Sequence, residues 1–595
     1  MVLVDHHADH PVGAEVYVQA RVAVTSQKGH GRLRTASLYF VFAFGLTTAI
    51  STAFAVWQHF SPVPYWDSWD DTIGFYLRAQ HDPWGAFFAQ HNEHRLTVSR
   101  LIFYADMWYF HGRNVFSLIA NWILAGILAL AFIRVAVYRC ATLTRAERAG
   151  VAGAALVFTY SWIQNENFTW AFDSQWFAVY LFALLAFHSI DRASVSAARD
   201  RYVDTRLWLL TGAASASVAA FSMASGVLVF PVLLVQAIYL RLKWRDIGAI
   251  AAIAAVVVFA FFVGWHAPAS SGDLRTGLRE HPLDALRFVL LYLGAPAWHA
   301  RRGMLGAYVC GSIALVALIV FCVEALRRRR TPPRALSLLM FAGFVTSNAV
   351  VTAGGRLWFG LESALASRYT TASLGAWFAL LAYGLLSDAP TRRRRAVFAT
   401  GVVALVMVFG AQRFAFNADR NVTYARLVAG LALRAHVYDP DITGVVYPFH
   451  DALIETAKQA EAARISIFAA DQPDYLEPPR QVVAQRLCTG AIDQIAKTGT
   501  AGIFRATGSI YDVDDRETPG AVVITDAAGH TLGTGVVGAE RDDIRKIYGR
   551  RARYSGWTAF FSAPPGGAIV AIGQTGPQTW CRLEDSRDVA TTVPQ

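Results

Sequence analysis

Three aspartates stand close together in the polar segment that follows the first long apolar stretch. The segment PYWDSWDD covers residues 64–71 and contains Asp67, Asp70 and Asp71. A carboxylate can take a proton from a hydroxyl group, and a second can hold a divalent cation against a phosphate. We therefore predict Asp67 as a general base, and Asp70 and Asp71 as further catalytic residues or as ligands of a divalent cation such as Mg or Mn. Alternatively, Asp70 and Asp71 cap a helix that begins near Thr72.

A second polar group is the run HNEHR at residues 91–95, which combines acidic, imidazole and guanidinium groups. At helical spacing, His91 shares one face with His94 and with Arg95. Glu93 is a candidate second base, His91 and His94 are candidate substrate-binding residues, and Arg95 is a candidate clamp on a phosphate. An exposed helix start would explain the same polarity. The apolar run at residues 96–110 predicts a helix lying in the membrane interface.

Several further residues are candidates for substrate binding because of the membrane face on which we expect them. Arginines at an outer face oppose the usual cytoplasmic bias of basic residues, so a phosphate or carboxylate partner is expected for each. Aromatic side chains with acidic neighbours on an outer turn suit a sugar site. The alternatives are snorkelling arginines and an ordinary interfacial turn. The candidates are Trp66, Trp69, Glu166, Asp173, Arg301, Arg302, Arg356, Arg368 and Tyr369.

Composition shows what must position these residues. The chain has 595 residues, of which 16% are charged, and a mean hydropathy of +0.34, whereas soluble domains are about 25% charged. The net charge of +11 comes from arginines clustered between apolar stretches, so a nucleic-acid partner is not expected. We expect a disordered cytoplasmic tail at 1–35, a transmembrane domain at 36–412 with a large first outward loop at 58–113, and a soluble periplasmic domain at 413–595.

The apolar stretches predict an all-α polytopic membrane domain of about eleven transmembrane helices. Basic residues cluster in alternate loops, which places the amino terminus in the cytoplasm and the carboxyl-terminal domain outside a bacterial inner membrane. The predicted spans are 36–57, 114–138, 149–163, 174–190, 207–222, 226–241, 246–265, 303–325, 336–353, 370–387 and 396–412.

The carboxyl-terminal part is predicted to be a helix followed by a β-sandwich. The helix is expected near 449–464, and short alternating apolar runs begin near residues 501, 521, 531, 555 and 567, a spacing typical of a sandwich. Cys488 and Cys581 are predicted to form a disulfide, because the domain should face an oxidising compartment. Carbohydrate binding or covering of the site is the expected role, and a structural role is the alternative.

This layout resembles the GT-C class of membrane glycosyltransferases. The resemblance rests on topology over the whole membrane part and, at the level of motifs, on Asp67, Asp70 and Asp71 just beyond the first span. It implies an inverting transfer of a sugar from a polyprenyl-phosphate carrier to a glycan or lipid-linked acceptor outside the membrane. In such a reaction Asp67 would serve as the base, while Arg368, Arg95 and Arg356 would stabilise charge on the departing phosphate.

Other function classes stay open on the sequence alone. A transferase resembling the O-antigen ligases would also use arginine and histidine on a lipid pyrophosphate, but in a late outward loop. A flippase or transporter of lipid-linked sugars should carry charged residues deep within its spans. A non-enzymatic polysaccharide-assembly protein would have no outward cavity with a carboxylate.

Overall fold

The computed structural model describes residues 12–268, 272, 277, 279–328, 333–387, 390–417, 420–469, 479–563 and 567–589. Most of the chain up to residue 469 is helical. The helices discussed from its first part are α1 (Val12–Gln58), α2 (Gly74–Ala79), α3 (Pro83–Phe88), α4 (Thr97–Phe110), α5 (Val115–Val137), α6 (Arg145–Tyr160), α7 (Asn165–Thr169), α8 (Ser174–Ala197), α9 (Tyr202–Ala220), α10 (Val229–Tyr239) and α11 (Trp244–Phe262). Those that follow are α12 (Pro282–Ala297), α13 (Gly303–Arg327), α14 (Leu336–Arg356), α15 (Thr370–Leu386), α16 (Thr391–Gln412), α17 (Arg420–Arg434), α18 (Pro440–Thr443), α19 (His450–Ala462) and α20 (Asp542–Tyr548).

Eight helical segments are long and apolar enough to cross a membrane. They are Arg32–Gln58, Val115–Val137, Ala171–Ala197, Trp244–Phe262, Pro282–Arg327, Leu336–Phe359, Ser367–Leu386 and Thr391–Phe416. The predicted count of eleven is not confirmed. The predicted spans 149–163, 207–222 and 226–241 coincide with α6, α9 and α10, which fall outside these eight segments; α6 and α10 have only 16 and 11 residues.

The segment Pro282–Arg327 is two helices rather than one, because the chain reverses at Arg301, which has a φ of 59°. α12 and α13 then pack so closely that a Cβ atom on Gly294 would lie 1.8 Å from the carbonyl oxygen of Ala307. Such close approach needs glycine. α12 falls within residues 266–302, between the predicted spans 246–265 and 303–325, where an outward loop would follow from those bounds. Its burial at Phe288, Leu291 and Tyr292 shows a packed helix there instead.

The first helix also differs from the prediction. α1 begins at Val12, so residues 12–35 are helical where a disordered tail was predicted, and no proline follows Pro11 to interrupt the helix. Residues 1–11 lie outside the described part of the chain. α1 packs against α6 through glycines, since a Cβ atom on Gly153 would lie 2.4 Å from the carbonyl oxygen of Val41.

We call the end of the helical domain that carries residues 58–113 the loop face.

Helices from the carboxyl-terminal part pack on the first loop instead of forming a separate unit. The predicted helix near 449–464 is confirmed as α19. Together with α17 it encloses Trp69, which is fully buried in a cluster that includes Leu433, Val446 and Leu453. The backbone N–H of Trp66 donates to the carbonyl of Val446 across 2.7 Å. This helical segment therefore forms part of the wall of the first loop.

The predicted β-sandwich is wrong, because the strands close into a seven-stranded barrel. Two long strands, β3 (Arg486–Lys497) and β9 (Thr579–Asp588), escaped prediction because polar and charged residues interrupt their apolar residues. Their parallel pairing closes the sheet. The predicted disulfide between Cys488 and Cys581 is confirmed, and it joins these two strands with the Cα atoms 5.3 Å apart. In chain order, the first two strands are β1 (Gln90–His91) and β2 (His94–Arg95), which form a separate hairpin. The barrel strands are β3 (Arg486–Lys497), β4 (Ile503–Tyr511), β5 (Ala521–Thr525), β6 (Thr531–Ala539), β7 (Gly556–Ser562), β8 (Ala568–Gly576) and β9 (Thr579–Asp588). Around the barrel they follow the order β3, β4, β7, β6, β5, β8 and β9.

Candidate functional site

The turn that carries Asp67 is held in place by its tryptophans. Trp66 has a φ of 48°, a left-handed conformation that costs energy in a bulky residue, and its N–H is bound by the C-terminal helical segment. The indole of Trp69 is buried and donates to the carbonyl of Pro64 across 2.9 Å. Trp69 is thus a core residue, not the predicted substrate-binding residue or interfacial anchor, whereas Trp66 stays exposed.

Asp71 belongs to a buried ion pair. The Nη2 atom of Arg100 lies 2.6 Å and 2.8 Å from its two carboxylate oxygens, and Nε lies 3.1 Å from one of them. Arg78 adds a contact of 3.3 Å. Both partners of the pair are buried. Because Arg100 occupies both oxygens, we assign Asp71 a structural role in place of the predicted catalytic or metal-binding role.

Residues 90–95 form a short hairpin instead of the predicted helix. His91 pairs with His94 and Gln90 pairs with Arg95, with Asn92 in a left-handed conformation at the turn. Asparagine is favoured at such turns because it tolerates positive φ. Paired residues share one side of a hairpin and successive residues alternate. His91 and His94 therefore lie together, as predicted, while Arg95 lies on the other side.

The imidazole of His91 lies between two of the predicted aspartates. Its Nε2 atom is 3.6 Å from Asp67 Oδ2 and its Nδ1 atom is 3.8 Å from Asp70 Oδ2. Burial lowers the pKa of His91, but the hydrogen bond that the imidazole donates to Asp67 and the charges of Asp71, Asp67 and Asp70 outweigh it, so the pKa is raised. A protonated His91 would orient Asp67, whose side chain is 32% exposed, toward solvent at the loop face.

The guanidinium of Arg95 donates hydrogen bonds to backbone carbonyls. Its Nε donates to the carbonyl of Phe261 across 2.7 Å, and its other nitrogens donate to the carbonyls of Phe88 and Val263. These carbonyls include the end of α11, where unpaired carbonyl groups need donors. The guanidinium thus ties the hairpin to α11, and the predicted phosphate clamp is replaced by a structural brace.

Glu93, His94 and Arg356 form a second charged group. Arg356 Nη2 lies 2.6 Å from Glu93 Oε1, and His94 Nε2 lies 3.8 Å from the same oxygen. Burial raises the pKa of Glu93, but His94 and Arg356 together lower it to about 2. Burial lowers the pKa of His94, whose Nδ1 accepts a hydrogen bond from the N–H of Ala224. Because Nδ1 accepts this hydrogen bond, the imidazole proton is on Nε2, which faces Glu93.

Arg368 also has a carboxylate partner. Its Nη1 lies 2.9 Å from Glu166 Oε1, and its backbone N–H donates to the other oxygen across 3.0 Å. Asp173 is buried within electrostatic range of Glu166, Arg368 and Asp67. Its Oδ1 accepts a hydrogen bond from Gln175, and its Oδ2 has no hydrogen-bond partner in the described part of the chain.

The remaining predicted residues divide into packing and exposed ones. Tyr369 is buried, with its ring 5.4 Å from that of Trp176 and 5.2 Å from that of Tyr292, so its role is packing. Arg301 and Arg302 are exposed at the reversal between α12 and α13, and the Arg301 guanidinium lies 4.4 Å from the centre of the Phe414 ring. Neither has a carboxylate within ion-pair distance among the described residues.

Three residues that the sequence did not indicate complete the site. Arg413 places its guanidinium 4.9 Å from the same Phe414 ring that Arg301 covers. Arg426 lies 3.6 Å from the ring centre of Tyr65. Burial, together with the charges of Asp70 and Asp67, raises the pKa of Tyr447 to about 12. No local pattern signals these residues, because Arg413 stands at the end of the last apolar segment and the other two come from the carboxyl-terminal part.

The loop face thus carries one continuous group of ionisable side chains. Asp67, Asp70 and His91 stand at its centre, and the Glu93–Arg356 and Glu166–Arg368 pairs lie on neighbouring elements. Comparisons with protein-family models, curated proteins and solved structures find no match. The chemistry of the site therefore has to be argued from these side chains alone.

Proposed function

We propose that the chain is an inverting glycosyltransferase that uses a polyprenyl-phosphate sugar donor at the loop face. The observation that carries the proposal is the placement of Asp67, a partly exposed carboxylate beside buried His91. In the proposal Asp67 acts as the single base of a direct displacement, which inverts the anomeric carbon, whereas a retaining route would use a carboxylate as nucleophile. We also infer that the loop face points away from the cytoplasm of an inner membrane, because the arginine clusters after α5, α8 and α13 and in the first turn of α16 lie at the opposite end.

The proposed step balances with the groups present. The acceptor oxygen bonds to the anomeric carbon of the sugar, and the bond from that carbon to the carrier phosphate breaks. The hydroxyl proton passes to Asp67, and the lipid phosphate leaves with the bonding electrons. His91 holds Asp67 in position through its Nε2 atom, and Tyr447 and Asp70 border the acceptor side. General-base catalysis of this kind contributes about 10²–10⁴-fold.

The phosphate is best assigned to the arginines that have no carboxylate partner. Arg356 and Arg368 are each neutralised by a glutamate. Arg301 and Arg413 are exposed beside the Phe414 ring, and Arg302 is exposed next to Arg301 in the chain. None of the three has an ion-pair partner within the described ranges. A guanidinium offers a fork of donors that matches phosphate geometry. In the proposal this arginine triad therefore holds the carrier phosphate.

A divalent cation fits only part of the predicted ligand set. Asp67 and Asp70 have free oxygens at the loop face, while Asp71 is bound by Arg100. Where such an ion binds, Asp67 and Asp70 would hold it, and it would neutralise charge on the phosphate. With or without a bound ion, Asp67 supplies the base and the arginine triad supplies the positive charge that holds the phosphate.

Transfer can be measured with the full-length protein in nanodiscs and a panel of labelled polyprenyl-phosphate sugars. Asp67→Asn should abolish transfer without changing the melting temperature. Glu362→Gln, which changes an exposed carboxylate of the same face in the same way, is the control and should retain activity. Unchanged transfer in Asp67→Asn would overturn the proposal.

The same assay tests the phosphate assignment. Arg301→Ala combined with Arg413→Ala should raise KM for the lipid donor at least tenfold and leave kcat less affected, because the contact is made with the carrier before reaction. An unaltered KM would move the phosphate away from the triad and leave the role of Asp67 intact.

A further inference from the structure

A cavity of about 610 Å³ opens at the end of the helical domain opposite the loop face. It lies where three turns meet: the connection from α5 to α6, the start of α14 together with the end of α13, and the turn from α15 to α16. Binding sites for small molecules typically have volumes of about 300–1,000 Å³. This cavity shares no residue with the site at the loop face, so the inference drawn from it does not rest on the proposed transferase activity.

Three guanidiniums line the cavity, from Arg328, Arg334 and Arg394. Arg328 pairs with Glu324 across 3.0 Å, but Arg393 shares that carboxylate. Arg334 is exposed and has no carboxylate within ion-pair distance in the described structure. Within the described structure, Arg334 is therefore an arginine of the lining whose charge no carboxylate balances.

Arg394 is also incompletely neutralised. The carboxylate in electrostatic range of it, Glu147, is engaged by Arg34 at 2.6 Å. Arg394 stands in the first turn of α16, where the helix dipole is positive and a basic residue is unfavourable. Pro390 precedes that turn and offers no side-chain cap to its N–H groups. An anion in the cavity would stabilise both the arginine and the helix start.

The rest of the lining is partly apolar. Leu143, Leu385 and Leu386 contribute to the wall, and Thr142 and Ser387 add hydroxyl groups. A soluble anion gains nothing from the leucines. A lipid headgroup presents a phosphate to the arginines while its glycerol and first methylene groups contact apolar side chains. Basic pockets between helices at a membrane surface bind anionic headgroups for this reason.

We propose that this cavity binds the phosphate of an anionic phospholipid from the leaflet on the side opposite the loop face. The shared chemistry is a phosphate between Arg334 and Arg394, with Arg328 beside it. A soluble phosphate compound could supply the same group, and the test separates these two sources.

The full-length protein is placed in nanodiscs of phosphatidylcholine alone or of phosphatidylcholine mixed with phosphatidylglycerol. The melting temperature and the lipids retained in native mass spectrometry are then measured. The test variant is Arg334→Ala with Arg394→Ala. The control is Arg392→Ala with Arg395→Ala, which removes the same charge from exposed positions of α16 that do not line the cavity.

Phosphatidylglycerol should raise the melting temperature of the wild type and of the control. In the test variant the rise should vanish and the retention of phosphatidylglycerol should fall at least tenfold. The melting temperature in pure phosphatidylcholine shows that each variant is folded. If the rise in melting temperature and the lipid retention fell equally in the test and control variants, general surface charge would explain the effect and the proposal would be overturned. An equal rise with inorganic phosphate in pure phosphatidylcholine would also overturn it, in favour of a soluble ligand.

Discussion

Replacing Asp71 by alanine leaves the Arg100 guanidinium buried without its carboxylate. Arg100 is fully buried, and Asp71 contacts it through both oxygens. Removing one partner of a buried pair costs about 3–5 kcal/mol, because the remaining charge cannot regain its hydration. Arg100 keeps its hydrogen bonds to the carbonyls of Phe87 and Ala89. We therefore expect the low end of that range, about 3 kcal/mol.

The matched control is Asp70→Ala, one residue earlier in the same turn. The Asp70 side chain is 56% exposed and lies 3.8 Å from His91, so its loss should cost less than about 1 kcal/mol. Combining Asp71→Ala with Arg100→Met removes both charges and should restore part of the loss. Restoration stays incomplete, since the Ala89 carbonyl then loses the Arg100 donor at about 1–3 kcal/mol, while the Phe87 carbonyl keeps the hydroxyl of Thr97.

The free energy of unfolding can be measured by titrating a denaturing detergent into mixed micelles of the purified protein. Transfer activity is measured on the same samples. In Asp71→Ala, activity should fall only in step with the folded fraction. Wild-type stability in Asp71→Ala, or activity lost from fully folded protein, would refute the structural assignment and return Asp71 to the catalytic set.

Three further outcomes follow from the packing and the charges. Glu93→Gln should lower the melting temperature at pH 7. Because the pKa of Glu93 in the folded protein is about 2, below its ordinary value, the difference in melting temperature between variant and wild type should narrow as the pH falls from about 4.5 toward 2. A difference that stays constant with pH would contradict the ion pair with Arg356. Cys488→Ser combined with Cys581→Ser should destabilise the barrel by about 2–5 kcal/mol, measured as a lower denaturation midpoint of its β-sheet circular dichroism. An unchanged midpoint would show that the disulfide does not stabilise the barrel. Gly294→Ala should lower the melting temperature, because the new Cβ would lie 1.8 Å from a carbonyl oxygen of α13. Gly343→Ala should leave it unchanged, because no heavy atom lies within contact distance of a Cβ at Gly343. Equal effects of the two substitutions would argue against the close packing of α12 on α13.

Much of the helical architecture could be predicted because long apolar runs have few alternatives to a membrane helix. α12 was missed for a physical reason. It has 16 residues, too few for a span, and Asp284 and Arg287 interrupt its apolar run, although its other side is buried among helices.

The barrel shows the same limit of local information. The predicted apolar runs became strands, and the run at 521–525 matches β5 in full. β3 and β9 were not recognised, because polar and charged residues, such as Asp493 in β3 and Glu584 in β9, break up their apolar runs. Whether strands form a sandwich or a barrel depends on which edges meet, and here the parallel pairing of Arg486 with Cys581 joins residues far apart in sequence.

The sequence by itself determined that this chain has long apolar helices, a polar first loop rich in aspartate, and two cysteines placed to pair. Those properties follow from residue type and short-range order. Only the tertiary structure decided that Asp67 lies free beside His91 while Asp71, four positions later, is held by Arg100. The two residues have the same side chain, and their chemistry differs because charge is set by which partners come within a few ångströms and how far water is excluded.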